Sequence, residues 1–433
     1  MAEESKRHPG KIQLFETNRP DTPVPQKERI HYLDILRGIA ILFIFLANIK
    51  ILSGVYFMSD AERLSMKTAT LDDVLRVLDF LFVDGKFYSV FSILFGIGFA
   101  VQYQRMKKDD SVFVPFFMKR MTGLLLIGGI HLFLLWLGDI LTLYALLGFL
   151  LIFFRHFTNK KLLIWALILL FMPVVHWLMM YFTNTFYPAY LAGRFFELAG
   201  GILSKETTEG FSSDFSLPAY FAITNFSTWM EVNLVMPLLR LSRILMEGRA
   251  FKVLGLFLMG IYAGRQILEN NLLSNSRLIK KIALWGLVIG LPMNLLRTWL
   301  EFGSGNEGVM SDFLEYVLNF LALTPMALGY CAIVALIVTR RKAWLNWFAT
   351  IGRTALSNYL FQTIISIFFF YGIGLGYAFS YGFSFSVLFV LVVFALQVLF
   401  SSLWLRHFRF GPVEWIWRQL TYGKVISLKK SRP

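Results

Sequence analysis

Apolar stretches of about 20 residues, the length that crosses a bilayer as a helix, recur along the chain. They lie at about 33–53, 86–104, 120–137, 139–154, 161–183, 250–268, 282–300, 313–338, 354–373 and 383–404. The pattern predicts an all-α polytopic transmembrane bundle of ten spans, the fourth shorter than the rest. Residues 71–83, LDDVLRVLDFLFV, are amphipathic instead and predict a helix on the membrane interface. Residues 1–30 are polar, and Pro20, Pro23 and Pro25 break any helix there. They are expected to form a disordered cytosolic arm without a cleavable signal, leaving 31–433 as a single transmembrane domain. The long connection is 184–249. Its second half is apolar but interrupted by Pro218 and Pro237, as expected of interfacial or half-membrane helices that roof the bundle. No internal repeat is visible.

Composition narrows the class. Apolar residues make up 57% of the 433 and charged residues only 16%. Mean hydropathy is +0.61. Both values exclude disorder and a soluble globular enzyme. The formal net charge of +15 raises the question of nucleic acid, but the basic residues sit in the short connections between apolar runs. Alternate connections hold Arg105, Lys119 and Arg120, then Arg155 and Lys160, then Arg277 and Lys280, then Arg340 and Lys342. The opposite connections, Gly138-Asp139, 301–312 and 374–382, contain no Lys or Arg. This is a topology signal, which puts both termini in the cytosol and 184–249 outside. The single cysteine, Cys331, excludes an intramolecular disulfide.

Polar side chains at bilayer depth are costly and mark sites or cavities. In the first span Asp34, Arg37, Ile41, Ile44 and Asn48 share one face. Asp34 and Arg37 read either as an ion pair anchoring the helix end or as placing Arg37 before a cytosolic anion. In the third span Gly128-Gly129-Ile130-His131 lets another backbone approach His131, with Asp139 at the next turn. His131 reads as a base oriented by Asp139, or as a helix-packing histidine beside a capping aspartate. Lys86, His176, Arg297 and Asn319 are expected at outer depth, lining an outward-facing polar pocket within reach of Arg240. Arg353 opens the ninth span at the cytosolic edge, followed by Thr354, Asn358, Gln362 and Ser366 at four-residue intervals. That stripe reads as helix–helix glue or as a ligand channel. No nucleotide-binding P-loop, GxSxG or zinc spacing is present, and no metal is expected.

Five stretches taken together resemble one family. They are Leu33-Asp34-Ile35-Leu36-Arg37-Gly38 with Asn48, Phe91 to Phe99, His131 to Leu141, Gly352 to Tyr359, and Gly411-Pro412-Val413-Glu414-Trp415 with Thr421-Tyr422-Gly423. The resemblance is to the YeiB-type bacterial multi-span membrane proteins, a domain of unknown function, over nearly the whole chain after residue 30. That family is distantly similar to the transmembrane acyltransferases, such as heparan-α-glucosaminide N-acetyltransferase. The resemblance implies a bacterial plasma-membrane bundle that takes acyl-CoA from the cytosol and acylates a glycan, lipid or small-molecule acceptor at the far face. Those enzymes use a histidine near the outer end of the first span. Here Asn48 and Lys50 stand there, no histidine lies between 32 and 130, and the role falls to His131.

On this reading Arg37 and Arg353 hold the CoA phosphates, Asn358 and Gln362 follow the pantetheine arm, His131 and Asp139 act on the acceptor, and Asn48 donates to the oxyanion. The competing expectation is a secondary transporter using the same polar channel without chemistry. The missing repeat counts against it.

Overall fold

The computed structural model describes residues 30–106, 108–200, 217–303, 308–340 and 345–430. All but the last residue of the expected arm at 1–30 lies outside them. Among the described residues the regular elements are helices, and the one β-bridge joins Phe408 to Lys429.

Among the described residues, eight segments are long and apolar enough to cross a membrane. They contain α1 (His31–Leu52), α4 (Phe87–Arg105), α5 (Asp110–Leu134), α7 (Asn159–Thr183), α11 (Arg249–Glu269), α12 (Ser276–Phe302), the pair α13 (Val309–Leu318) and α14 (Thr324–Arg340), and α17 (Phe383–His407). Two shorter apolar helices, α6 (Leu141–Phe154) and α16 (Ala355–Phe370), stand where the fourth and ninth spans are predicted. The protein is an all-α membrane bundle. The predicted interfacial helix is α3 (Ala69–Phe82), preceded by α2 (Asp60–Ser65). On α3, Leu71, Val74, Leu78 and Phe82 are exposed at helical spacing while Asp72 and Asp79 point inward. An exposed apolar stripe with Asp72 and Asp79 turned to the protein suits a helix lying on the lipid interface.

The connection 184–249 contains α8 (Tyr187–Gly200), α9 (Leu217–Ala222) and α10 (Phe226–Met246). Tyr220, Phe221 and Trp229 are buried in one cluster with Phe45, Trp136, Tyr371 and Phe383, so α9 and α10 roof the ends of α1, α16 and α17. The chain ends with α15 (Asn346–Arg353) ahead of α16, and α18 (Pro412–Tyr422) after α17.

Small residues set the closest contacts, as membrane helices need. A Cβ on Gly96 would meet the Phe257 carbonyl, and one on Gly260 the Ile93 carbonyl. The Gly260-Ile-Tyr-Ala-Gly264 motif is therefore the seam between α4 and α11. Gly260 meets Ile93 and Gly264 meets Ile97 and Ala100, so the contacts ascend together and the two helices run in the same direction. Gly38 faces the Phe348 carbonyl and Gly352 the Asp34 carbonyl, which locks α15 across the first turns of α1. We call the end holding these turns and α18 the basic end, and the roofed end the far end.

Candidate functional site

Beside α1 and α4 runs a cavity of about 380 Å³, within the size range of cofactor sites, roughly 300–1,000 Å³. Its lining follows α4 from Phe87 to Arg105, and α1 from Leu33 to Asn48. Eighteen residue steps of α4 rise about 27 Å at 1.5 Å each, close to a bilayer core of about 30 Å.

Five guanidiniums line the basic end: Arg37, Arg105, Arg120, Arg353 and Arg418. Only Asp34 and Glu414 oppose them on the wall. Arg37 donates to Asp34 at 2.8 Å. Arg120 lies over the Trp417 ring at 3.9 Å, and Arg418 over Phe410 at 4.6 Å. Arg120, Arg353 and Arg418 have no ion-pair partner among the described residues. Burial pulls the pKa of Arg353 and Arg418 below the ordinary arginine value, because desolvation penalises the charged form. A cluster of stacked cations in excess of carboxylates is a receptor for a polyanion.

The middle of the cavity is apolar, with Ile41, Ile44, Phe91, Leu94, Phe95 and Leu124 on its wall. The far end turns polar again with Asn48, Tyr88, Tyr359, Arg240 and Arg249. Of the residues singled out in the sequence, Arg37, Arg353 and Asn48 line this cavity.

His131 stands one layer behind the wall, fully buried. Its Nδ1 is 2.8 Å from Asp139 Oδ1, and its Nε2 is 3.0 Å from Thr363 Oγ1. In the tautomer with the proton on Nδ1 toward Asp139, Nε2 accepts from the Thr363 hydroxyl. The second oxygen of Asp139 accepts from the Thr142 amide at 2.7 Å and caps α6. Asp139 thus meets His131 and caps α6 at once. Gly128 admits the Thr142 backbone, whereas Gly129 has open space before it. Between His131 and the cavity stands Tyr359, its ring centroid 5.1 Å from the imidazole. Its buried hydroxyl has no hydrogen-bond partner among the described residues.

The polar stripe of α16 faces away from the cavity. Asn358 donates to Thr354 at 2.9 Å and Ser401 at 3.2 Å, and Gln362 donates to Gln397 at 2.9 Å. These amides join α16 to α17, so the expected path for a pantetheine arm along Asn358 and Gln362 is occupied by helix pairing. The bore lies on the α1 and α4 side instead.

The expected outer pocket residues separate as well. Lys86 is fully buried and donates to the Phe80 carbonyl at 2.6 Å. Arg297 pairs with Asp84 at 3.1 Å and covers Phe80 at 3.8 Å. Lys50 bridges Asp79 and Asp84 at 2.6 and 3.2 Å. These charges form an ionic joint between α1, α3, α4 and α12 just behind the cavity. His176 meets the Tyr187 hydroxyl at 2.8 Å, and Asn319 opens a π-helical turn after α13 and donates to Glu315 at 3.5 Å.

Arg105 and Arg120 enter the sequence pattern as topology charges, and nothing in that pattern marks Arg418 or Tyr359 as lining a site. Their signal was periodic: Glu414 and Arg418 are one turn apart, and Tyr359 follows Leu356 by three.

Over 410 residues the chain is 31% identical to the uncharacterized protein YxaH of Bacillus subtilis (strain 168), spanning 92% of this chain and 96% of that one. It is 30% identical over 433 residues to YeiB of Escherichia coli (strain K12), spanning 94% and 100%. The chain belongs to the YeiB-type family. Residues 263–424 match the family described as "Protein of unknown function (DUF418)". An uncharacterized 39.9 kDa protein of Bacillus acidopullulyticus is 27% identical over 94% of this chain. No solved structure matches. The DUF418 segment of this YeiB-type chain holds Arg353, Tyr359, Glu414 and Arg418 on the cavity wall, and Thr363 behind it. The rest of the wall comes mainly from α1, α4 and α5, with Leu141 and Tyr144 of α6, Arg240 of α10 and Arg249 of α11.

Proposed function

We propose that the protein is a plasma-membrane acyltransferase that takes its acyl group from cytosolic acyl-CoA and passes it to an acceptor at the far face. The carrying observation is the cavity itself: a five-arginine mouth, an apolar bore and a polar far end that abuts the His131–Asp139 pair. A CoA thioester has the same order of parts, a polyphosphate head followed by a slender arm. Arg37, Arg105, Arg120, Arg353 and Arg418 hold the phosphates. The arm lies between α1 and α4, and the thioester reaches Asn48 and Tyr359.

At that point the acceptor oxygen or nitrogen forms a bond to the thioester carbonyl carbon and the carbon–sulfur bond breaks. The acceptor proton passes to a base and then to the departing sulfur. Neutral His131 presents its lone pair at Nε2, where the acceptor displaces Thr363. Asn48 and the Tyr359 hydroxyl donate to the carbonyl oxygen as charge develops. Equilibrium titration of the purified protein with acetyl-CoA tests the donor half: saturable binding is expected, and its absence in folded protein removes the proposal.

A further inference from the structure

The far end of the cavity is built for an anion of its own. Two guanidiniums, Arg240 and Arg249, stand on its wall, and the two carboxylates on the cavity wall, Asp34 and Glu414, are both at the basic end. Arg249 is already matched, because Glu247 accepts from its Nε at 2.7 Å and pairs with its Nη2 at 2.5 Å. Arg240 is not: no carboxylate lies within ion-pair distance among the described residues, and its Nε is buried without a hydrogen-bond partner. Burial and the neighbouring Arg249 lower its pKa to about 10, which still leaves it charged at neutral pH.

A third basic side chain stands behind. Lys252 is buried, with its ammonium 5.1 Å from the centre of the Tyr88 ring, and Tyr88 itself lines the cavity. It too has no ion-pair partner among the described residues. A buried cation without a counter-charge is costly, and a bound anion is what removes the cost. Neutral donors surround the spot, with Asn48 and Tyr359 on the same wall. Arg240 lies within electrostatic range of Tyr359, which puts the anion next to the proposed reacting centre.

We infer that the far end of the cavity binds a phosphate group, with Arg240 as its direct ligand and Lys252 and Arg249 supplying the surrounding field. Arg240 belongs to α10, the roof helix at the far interface, which is the depth of lipid headgroups. Resting on the acyl-transfer reading, that phosphate belongs to the acceptor, which presents its hydroxyl or amine to Tyr359 while Arg240 anchors it. The anion site itself stands without that reading.

The experiment uses detergent-purified full-length protein, and the Arg240 variants separate the far end from the basic end. Two probes are titrated by microscale thermophoresis: sn-glycerol 3-phosphate and dihexanoyl phosphatidylglycerol. Binding of the first assigns a soluble phosphate, and binding of the second alone assigns a lipid headgroup. Either supports the site if Arg240→Gln weakens it roughly 10–100-fold, the loss of one charge-assisted contact, and Arg240→Lys weakens it less. Neither probe binding, or affinity unchanged by Arg240→Gln, overturns the inference. Should Arg240→Gln fail to fold, Arg240→Lys carries the test: weaker binding supports the site, and unchanged affinity overturns it. Acetyl-CoA titration of the parent protein reads the donor proposal separately, so the two can fail independently.

Discussion

Glu414 binds Ser357 twice, accepting from its amide at 3.1 Å and from its hydroxyl. The same carboxylate accepts from the Leu356 amide at 2.7 Å. Glu414 thus caps α16 from a helix 58 residues later, and fixes α18 with its Arg418 against the mouth. Gly411 permits the approach, since a Cβ there would strike Glu414 Oε2. Glu414→Ala is expected to cost about 1–3 kcal/mol, between the loss of a cap and of a charged hydrogen bond. Thermal unfolding in detergent checks it, with Ser357→Ala expected to lie in between. An unchanged Tm in Glu414→Ala contradicts this role.

Burial raises the Glu414 carboxyl above the ordinary range, and the hydrogen bonds from Ser357 and Leu356 hold back the rise. The folded protein therefore holds this proton more tightly than the unfolded chain. The resulting stability is complete below the ordinary glutamate range and is lost as pH rises through the raised folded value. The Tm of the parent minus that of Glu414→Gln should fall over this window. A difference that stays flat from about pH 4 to about pH 8 counts against the shift.

At the mouth, Arg353→Ala and Arg418→Ala are each expected to weaken acetyl-CoA binding by about tenfold, the scale of one charge-assisted hydrogen bond. Lysine at either position should cost less, since it keeps the charge but loses the fork. Equal affinity in the parent and both alanine variants takes the phosphates away from this mouth.

The span pattern, the amphipathic helix at 71–83, the broken 184–249 connection and the His131–Asp139 contact were all legible in the sequence. Hydrophobic period and length dictate the first three, and a short turn brings the last two residues together. The cavity was only half legible. Arg37 and Asn48 share a helix face, so periodicity places them together. Arg120 and Arg418 meet through contacts between distant helices, Trp417 stacking on one and Phe410 on the other. No spacing announces such a pairing. The stripe of Asn358 and Gln362 shows the converse. Four-residue periodicity reveals a face, but not whether a ligand or a neighbouring helix satisfies it.

That stripe gives a separable prediction. Gln362→Leu leaves Gln397 without its donor and is expected to lower Tm, as interhelical hydrogen bonds in membranes are worth about 0.6–2 kcal/mol. Gln362→Leu with Gln397→Leu should recover part of the loss. Acetyl-CoA affinity should stay within about twofold in both, because neither side chain lines the cavity. A large fall in affinity with Tm intact would place the arm along α16 after all.

The most direct test of acyl transfer is a label experiment in proteoliposomes. Radiolabelled acetyl-CoA is supplied on the side of α18, and label is counted in lipid- and glycan-extractable products with a bacterial membrane extract as acceptor source. The parent protein is expected to transfer label, and His131→Gln to insert normally but lose roughly 10²–10⁴-fold in rate, the scale of a removed general base. Tyr359→Phe should retain CoA binding and lose rate. Transfer by His131→Gln at the parent rate would make His131 purely structural. No transfer by the parent, with a solute accumulating in the vesicles instead, would contradict acyl transfer and leave a transporter.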